Sequence, residues 1–153
     1  MNRKDFLLRL WDIANQTESW FAPVQKALEN VDATQAIWKP GDIAEFNSIQ
    51  EITHHLLYYK TRFLSRLTAS SFESLADNEE TFIAGLSKNW EGIKEELYTT
   101  NSKIIEFILN LQDSDLDRLQ PKEAIGQQFL DLATHDAYHA GQIVLIRKLQ
   151  RAW

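Results

Sequence analysis

Residues able to hold a metal ion concentrate in two short stretches of this chain. His135-Asp136-Ala137-Tyr138-His139-Ala140-Gly141-Gln142 carries two of only four histidines, spaced four residues apart. On a helix that spacing stacks both imidazoles on one face, one turn apart, where they can grip a single ion. The other two, His54 and His55, are adjacent in an earlier segment. His135 and His139 share a stripe with Leu132, Gln142 and Ile146, and His55 shares one with Ile52, Tyr59 and Phe63. Three histidines on inward stripes of two helices could meet in a bundle core. His54 is rotated about 100° away and is the weaker ligand candidate. Buried histidines satisfied by a carboxylate or a backbone carbonyl fit the same pattern, and spacing alone does not choose.

The donor chemistry is nonetheless restricted. There is no cysteine, so disulfides, thiolate ligands and cysteine nucleophiles are excluded, and any metal is held by nitrogen and oxygen. H-D-A-Y-H has the look of the zinc-protease H-E-x-x-H pattern. Its acid, Asp136, is one methylene shorter, which puts the general-base role in doubt. Two readings of Asp136 remain: a hydrogen-bond acceptor that orients a ligand histidine, or a solvated surface carboxylate.

The elements that must position these residues read as helices. Phe6, Leu7, Leu10, Trp11, Ile13 and Ala14 set helical spacing over about Arg3 to Asn30, with Thr17 and Pro23 predicting a kink or split. A loop is expected from Val31 to Phe46, punctuated by Trp38-Lys39-Pro40-Gly41-Asp42. Ser48-Ile49-Gln50-Glu51 has the form of a capping box, and the apolar stripe behind it runs to about Ala69. A polar linker, Ser70 to Glu80, predicts a long surface crossover. The third helix starts at Ser87 or Asn89 and runs to Leu111, with Thr99-Thr100-Asn101-Ser102 as a weak, irregular stretch. Asp113-Ser114-Asp115 and Pro121 break it, and the last helix spans about Gly126 to Arg151. Four long amphipathic segments, with no internal repeat and no domain boundary, predict one all-α domain over residues 1–153, a four-helix bundle.

Composition bounds the function. The chain has 153 residues, 44% of them hydrophobic and 25% charged, the balance of a globular domain with a real core. A net charge of −6 argues against non-specific nucleic-acid binding and against docking on an anionic membrane. The basic start is followed by an apolar run broken by Arg9, Asp12 and Asn15, unlike a signal peptide, and no apolar run spans a membrane. A cytoplasmic protein is expected.

Two motifs carry a resemblance to the DinB/YfiT-like superfamily of metal-dependent four-helix bundles. Ser48-Ile49-Gln50-Glu51-Ile52-Thr53-His54-His55 resembles the family's S-I-x-E-I-x-x-H, and His135 to Gln142 resembles its H-x-x-x-H-x-G-Q. Trp38-Lys39-Pro40 before the second helix is a less specific likeness. The resemblance implies that His55, His135 and His139 are the metal ligands, leaving positions open for water or substrate. Imidazole ligands suit zinc, nickel or iron. It also implies a small-molecule substrate, with a low-molecular-weight thiol in a thiol-dependent S-transferase as the leading activity. A hydrolase using metal-bound water and a non-enzymatic metal-binding or stress-related module are the alternatives, and a homodimer is expected. Gln142 is a candidate hydrogen-bond donor beside a ligand, or a structural bond. Gly141 permits close approach of a helix or ligand, or eases packing. Trp38 and Tyr59, with Tyr58 and Trp90, are candidate pocket walls, although aromatics at helical spacing are more often core.

Overall fold

The computed structural model describes residues 1–41, 43, 45–83 and 88–153. Its helices are α1 (Arg3–Asn15), α2 (Val24–Ala27), α3 (Ala33–Ile37), α4 (Ile49–Thr68), α5 (Glu80–Ile83), α6 (Trp90–Leu109) and α7 (Ile125–Leu149). A 3-10 turn at Asp113–Asp117 joins the last two. Among the described residues the only β feature is an isolated bridge between Leu119 and Ala124. No described helix is long and apolar enough to cross a membrane.

Local signals set most boundaries. The first segment splits as Pro23 predicts: α1 stops at Asn15, and Pro23 caps α2. Ser48 and Glu51 form the expected box, Ser48 Oγ accepting from the Glu51 N–H at 3.2 Å and Glu51 Oε2 from the Ser48 N–H at 2.6 Å. Lys39 reaches the same carboxylate at 2.8 Å, tying the preceding loop to the helix start. Asn89 caps α6 by accepting from the Gly92 N–H; Ser87, the other candidate, lies outside the described residues, as does Asp42. The loop expected from Val31 to Phe46 contains α3, because Asp32 and Gln35 make a capping box of their own.

α1 and α7 run parallel, as do α4 and α6, and α4 opposes α7. Contacts show this order: Trp11 stacks on Phe129, Gln50 reaches Lys88, and Phe63 meets Phe129 while His55 meets His135. Parallel neighbours α4 and α6 need a long crossover, and residues 69–89 supply it. Near its other end, Gly126 lets the 3-10 turn press against α7, since a Cβ there would sit 3.1 Å from Leu116 Cβ.

Two apolar clusters fill the bundle. One gathers Leu28, Ile49, Leu56, Trp90, Ile93 and Ile143; the other gathers Trp11, Phe63, Ile104, Ile108, Ile125 and Phe129. Between them lies a fully buried ammonium. Lys60 Nζ, on α4, bonds Asp136 Oδ2 on α7 at 2.5 Å, Asn15 Oδ1 on α1 at 3.0 Å and Asn101 Oδ1 on α6 at 3.2 Å. It also lies 4.1 Å from the Trp11 ring centre. One side chain thus contacts all four long helices. Asn101 explains why Thr99-Thr100-Asn101-Ser102 is regular helix rather than an irregular stretch: its side chain is committed to Lys60 instead of competing for the backbone. Burial pushes the Lys60 ammonium down and the Asp136 carboxyl up, and each partner's charge opposes the other's shift.

Removing one member of such a pair leaves an uncompensated buried charge. Lys60→Met is expected to lose about 3–5 kcal/mol in urea unfolding of the metal-free protein. The double variant Lys60→Met/Asp136→Leu should recover most of that loss. A Lys60→Met protein as stable as the parent would refute the role assigned to the pair.

Candidate metal centre

The capping box starts α4 at Ile49 and places His55 nearly two turns in, on the face that packs against α7. The opposing stripe of α7 brings His135 and His139 to the same level. His55 Nε2 lies 2.9 Å from His135 Nε2, which lies 3.1 Å from His139 Nε2. His55 and His139 are buried, and His135 is partly exposed. One ligand nitrogen from each ring lies within 4.8 Å of the others, a span compatible with a single cation once the side chains adjust.

The outer ring nitrogens determine where the lone pairs point. Thr81 Oγ1 donates to the Asn78 carbonyl at 2.5 Å, so its oxygen accepts from His55 Nδ1–H at 2.6 Å. Gln142 Oε1 accepts from His139 Nδ1–H at 2.6 Å, while the Gln142 amide donates to Tyr138 Oη at 3.0 Å. Both rings therefore carry their proton on Nδ1 and turn the Nε2 lone pair inward. His135 Nδ1 is buried with no hydrogen-bond partner among the described residues. Burial, reinforced by the neighbouring histidines, pushes His55 down to about 3. Burial, His139 and Lys60 push His135 down to about 4. His139 is lowered too, by burial, against the opposing pull of Gln142 and Asp136. All three are neutral imidazoles near pH 7, the form that ligates metals. The donor set fits a divalent ion such as zinc, nickel or iron.

The crossover walls the cluster. Phe82 stacks on His55 with ring centres 4.0 Å apart, and Tyr59 stands edge-on to His55 and His135. His54 donates from Nδ1 to the Thr81 carbonyl at 2.6 Å. The adjacent histidines thus both grip Thr81, and His54 faces away from the cluster toward the crossover backbone. Beside the cluster opens a cavity of about 780 Å³ whose lining includes the three histidines, Tyr59, Phe82 and Arg62.

Several sequence expectations change. Asp136 is neither solvated nor bonded to a ring nitrogen among the described residues; it is fully buried and engaged by Lys60 and Asn15. Gln142 does adjoin a ligand candidate, as acceptor rather than donor. Tyr59 lines the cavity, but Trp38 packs against the apolar core instead. Tyr58 turns to Phe72, and Trp90 is core, its Nε1 donating to Val31 O. The surface linker expected from Ser70 to Glu80 leads into α5, whose Thr81 is buried. Thr81 and Phe82 escaped the sequence reading, although Asp77 and Glu80 carry the spacing of a helix start and form its bonds.

A family model for the DinB superfamily matches residues 17–143. The chain belongs to the DinB superfamily. The matched span begins just after α1 and takes in His55, His135 and His139. No curated protein and no solved structure matched the chain. In this DinB-superfamily protein the two motifs meet as one cluster, and the S-x-x-E box and the Gly141-Gln142 pair flank it as local geometry requires.

Folding lowers the pKa of all three rings, whereas histidines in an unfolded chain titrate near ~6.5. Below that pH the unfolded chain binds more protons. Stability of the metal-free protein is therefore fully present above pH ~6.5 and is lost as pH falls toward the depressed values, about 4 for His135 and about 3 for His55. Thermal melting between about pH 7 and pH 5 should show this decline, and His135→Gln should show less of it. Parallel curves for the two proteins would refute the assignment.

Proposed function

We propose that His55, His135 and His139 hold one divalent ion, zinc, nickel or iron, and that the protein is a metal-dependent enzyme acting on a small molecule in the adjoining cavity. The observation that carries this reading is the convergence of three Nε2 atoms at a cavity wall, two with their lone pairs fixed inward. Three protein ligands leave coordination positions free, as catalytic sites do. An ion so held supplies a Lewis acid and a binding place for a thiolate.

A thiol-dependent S-transferase is the activity we favour, with a low-molecular-weight thiol as co-substrate. The thiol sulfur forms a bond to an electrophilic carbon, the leaving group departs with its bonding pair, and the thiol proton passes to solvent. Asp136 supports this over protease-like hydrolysis, because the acid beside His135 is bound to Lys60 in the core. Phe82 and Tyr59 pack on the His55 ring, which is buried. The proposed place of action is the cytoplasm, where small thiols stay reduced.

Metal analysis of the purified protein should give about one ion per chain, with occupancy falling sharply in His55→Ala, His135→Ala and His139→Ala. His54→Ala should retain most of it. Stoichiometric binding by His55→Ala would sink the ligand assignment. A cobalt-substituted sample should change its visible spectrum when a small thiol is added; an unchanged spectrum would favour the hydrolase.

We also propose that a second copy of the chain packs on α7. Tyr138, Leu145 and Leu149 are exposed along one outer stripe, at 64%, 55% and 50%. Gly141 lies among them, and a Cβ there would meet nothing within 4 Å. A helical glycine costs roughly 1 kcal/mol relative to alanine, and no contact among the described residues explains it. Close approach of a partner helix does. Sedimentation should find a dimer that Gly141→Leu disrupts; a monomeric parent protein would end this proposal.

A further inference from the structure

The cavity beside the histidines has a second chemical end. Along α4, His55, Tyr59, Arg62 and Arg66 follow one stripe, and all four line the cavity. The two arginines are not equivalent. Arg66 is held in place: it donates to Gln128 Oε1 at 2.7 Å and lies 3.7 Å from a Glu123 carboxylate oxygen. Gln128 in turn donates to the carbonyls of Gln120 and Glu123, so Arg66 closes the turn that leads into α7. Arg62 is half-buried, and its guanidinium has no hydrogen-bond or ion-pair partner among the described residues. A planar fork of five donors left open in a concave, partly desolvated wall is suited to a carboxylate.

We propose that Arg62 is the anchor for a carboxylate on the small-molecule substrate, whose reacting end lies at the histidine cluster. This rests on the metal-site reading for the position of the reacting end. Arg62 follows His55 by seven residues, a helical rise of about 10 Å. The substrate class is therefore an elongated, carboxylate-bearing small molecule with its reactive group roughly that far from the acid. Asp131 also lines the cavity, but it is exposed, and water and salt screen its charge more than that of half-buried Arg62. Glu123 is already paired with Arg66. The net attraction at this end belongs to Arg62.

The test uses 6-mercaptohexanoate and 6-mercaptohexanol, probes that differ only at the end remote from sulfur. Titrated into the cobalt-loaded protein and followed by thiolate-to-cobalt absorption, the acid should bind about tenfold more tightly than the alcohol. Arg62→Gln should close that gap without changing alcohol binding. Equal affinities in the parent protein, or a gap that survives Arg62→Gln, would overturn the proposal. Failure to load cobalt would count against the metal reading instead. The anchor is then judged on metal-free protein, where calorimetry should detect heptanoate binding that Arg62→Gln abolishes. Absence of that heat in the parent protein would overturn the anchor by itself.

Discussion

The position of one ammonium group constrains this bundle. Lys60 lies between two apolar clusters and takes its partners from each of the other three long helices. A charge in such a place tolerates no vacancy among its acceptors. Rotating α4 by one residue, or sliding it one turn along α7, would leave Lys60 and Asp136 buried apart. The interaction therefore fixes register as much as it contributes energy. That register also sets the histidine cluster: Lys60 follows His55 by five residues, and Asp136 adjoins His135. Helices aligned to join the ion pair are aligned to bring the imidazoles together.

The second constraint comes from topology. Because α4 and α6 are parallel, the chain must travel the length of the bundle between them, and part of that path covers the site. Thr81 fixes the tautomer of His55, and Phe82 covers its ring. On α7 the equivalent service for His139 comes from Gln142, one turn along the same helix. One ring is oriented by a distant segment and another by its own helix, and both present Nε2 to the same point. His135, between them, has no such partner for Nδ1 among the described residues.

What was legible in the sequence divides along similar lines. The long helices, the box at Ser48 and the histidine stripes follow from local spacing, whereas the short helices α3 and α5 fall inside segments that the spacing reads as loop and linker. The partners of the buried charges were less accessible. Lys60, Asn101 and Asp136 each interrupt an apolar stripe, a visible anomaly, but nothing in the spacing says that they interrupt it at the same depth. Asp136 sits beside His135 in sequence, but its side chain leaves in another direction, toward α1 and α4. Thr81 and Phe82 lie in a stretch whose polarity reads as surface. Their burial depends on the crossover folding back, a long-range event that no local window records. Trp38 shows the reverse error, an aromatic near a motif that belongs to the core.

The placement of the three histidines on only two helices has a consequence for affinity. α4 and α7 are already joined by Lys60 and Asp136 a short distance below the cluster. A cation bridging His55 to His135 and His139 would therefore meet rings that the folded chain already holds together, with little reorganisation left to cost it affinity. The bundle is in that sense a preformed socket: its helices keep their places without a cation, and a cation bound there would add stability to the folded form by mass action.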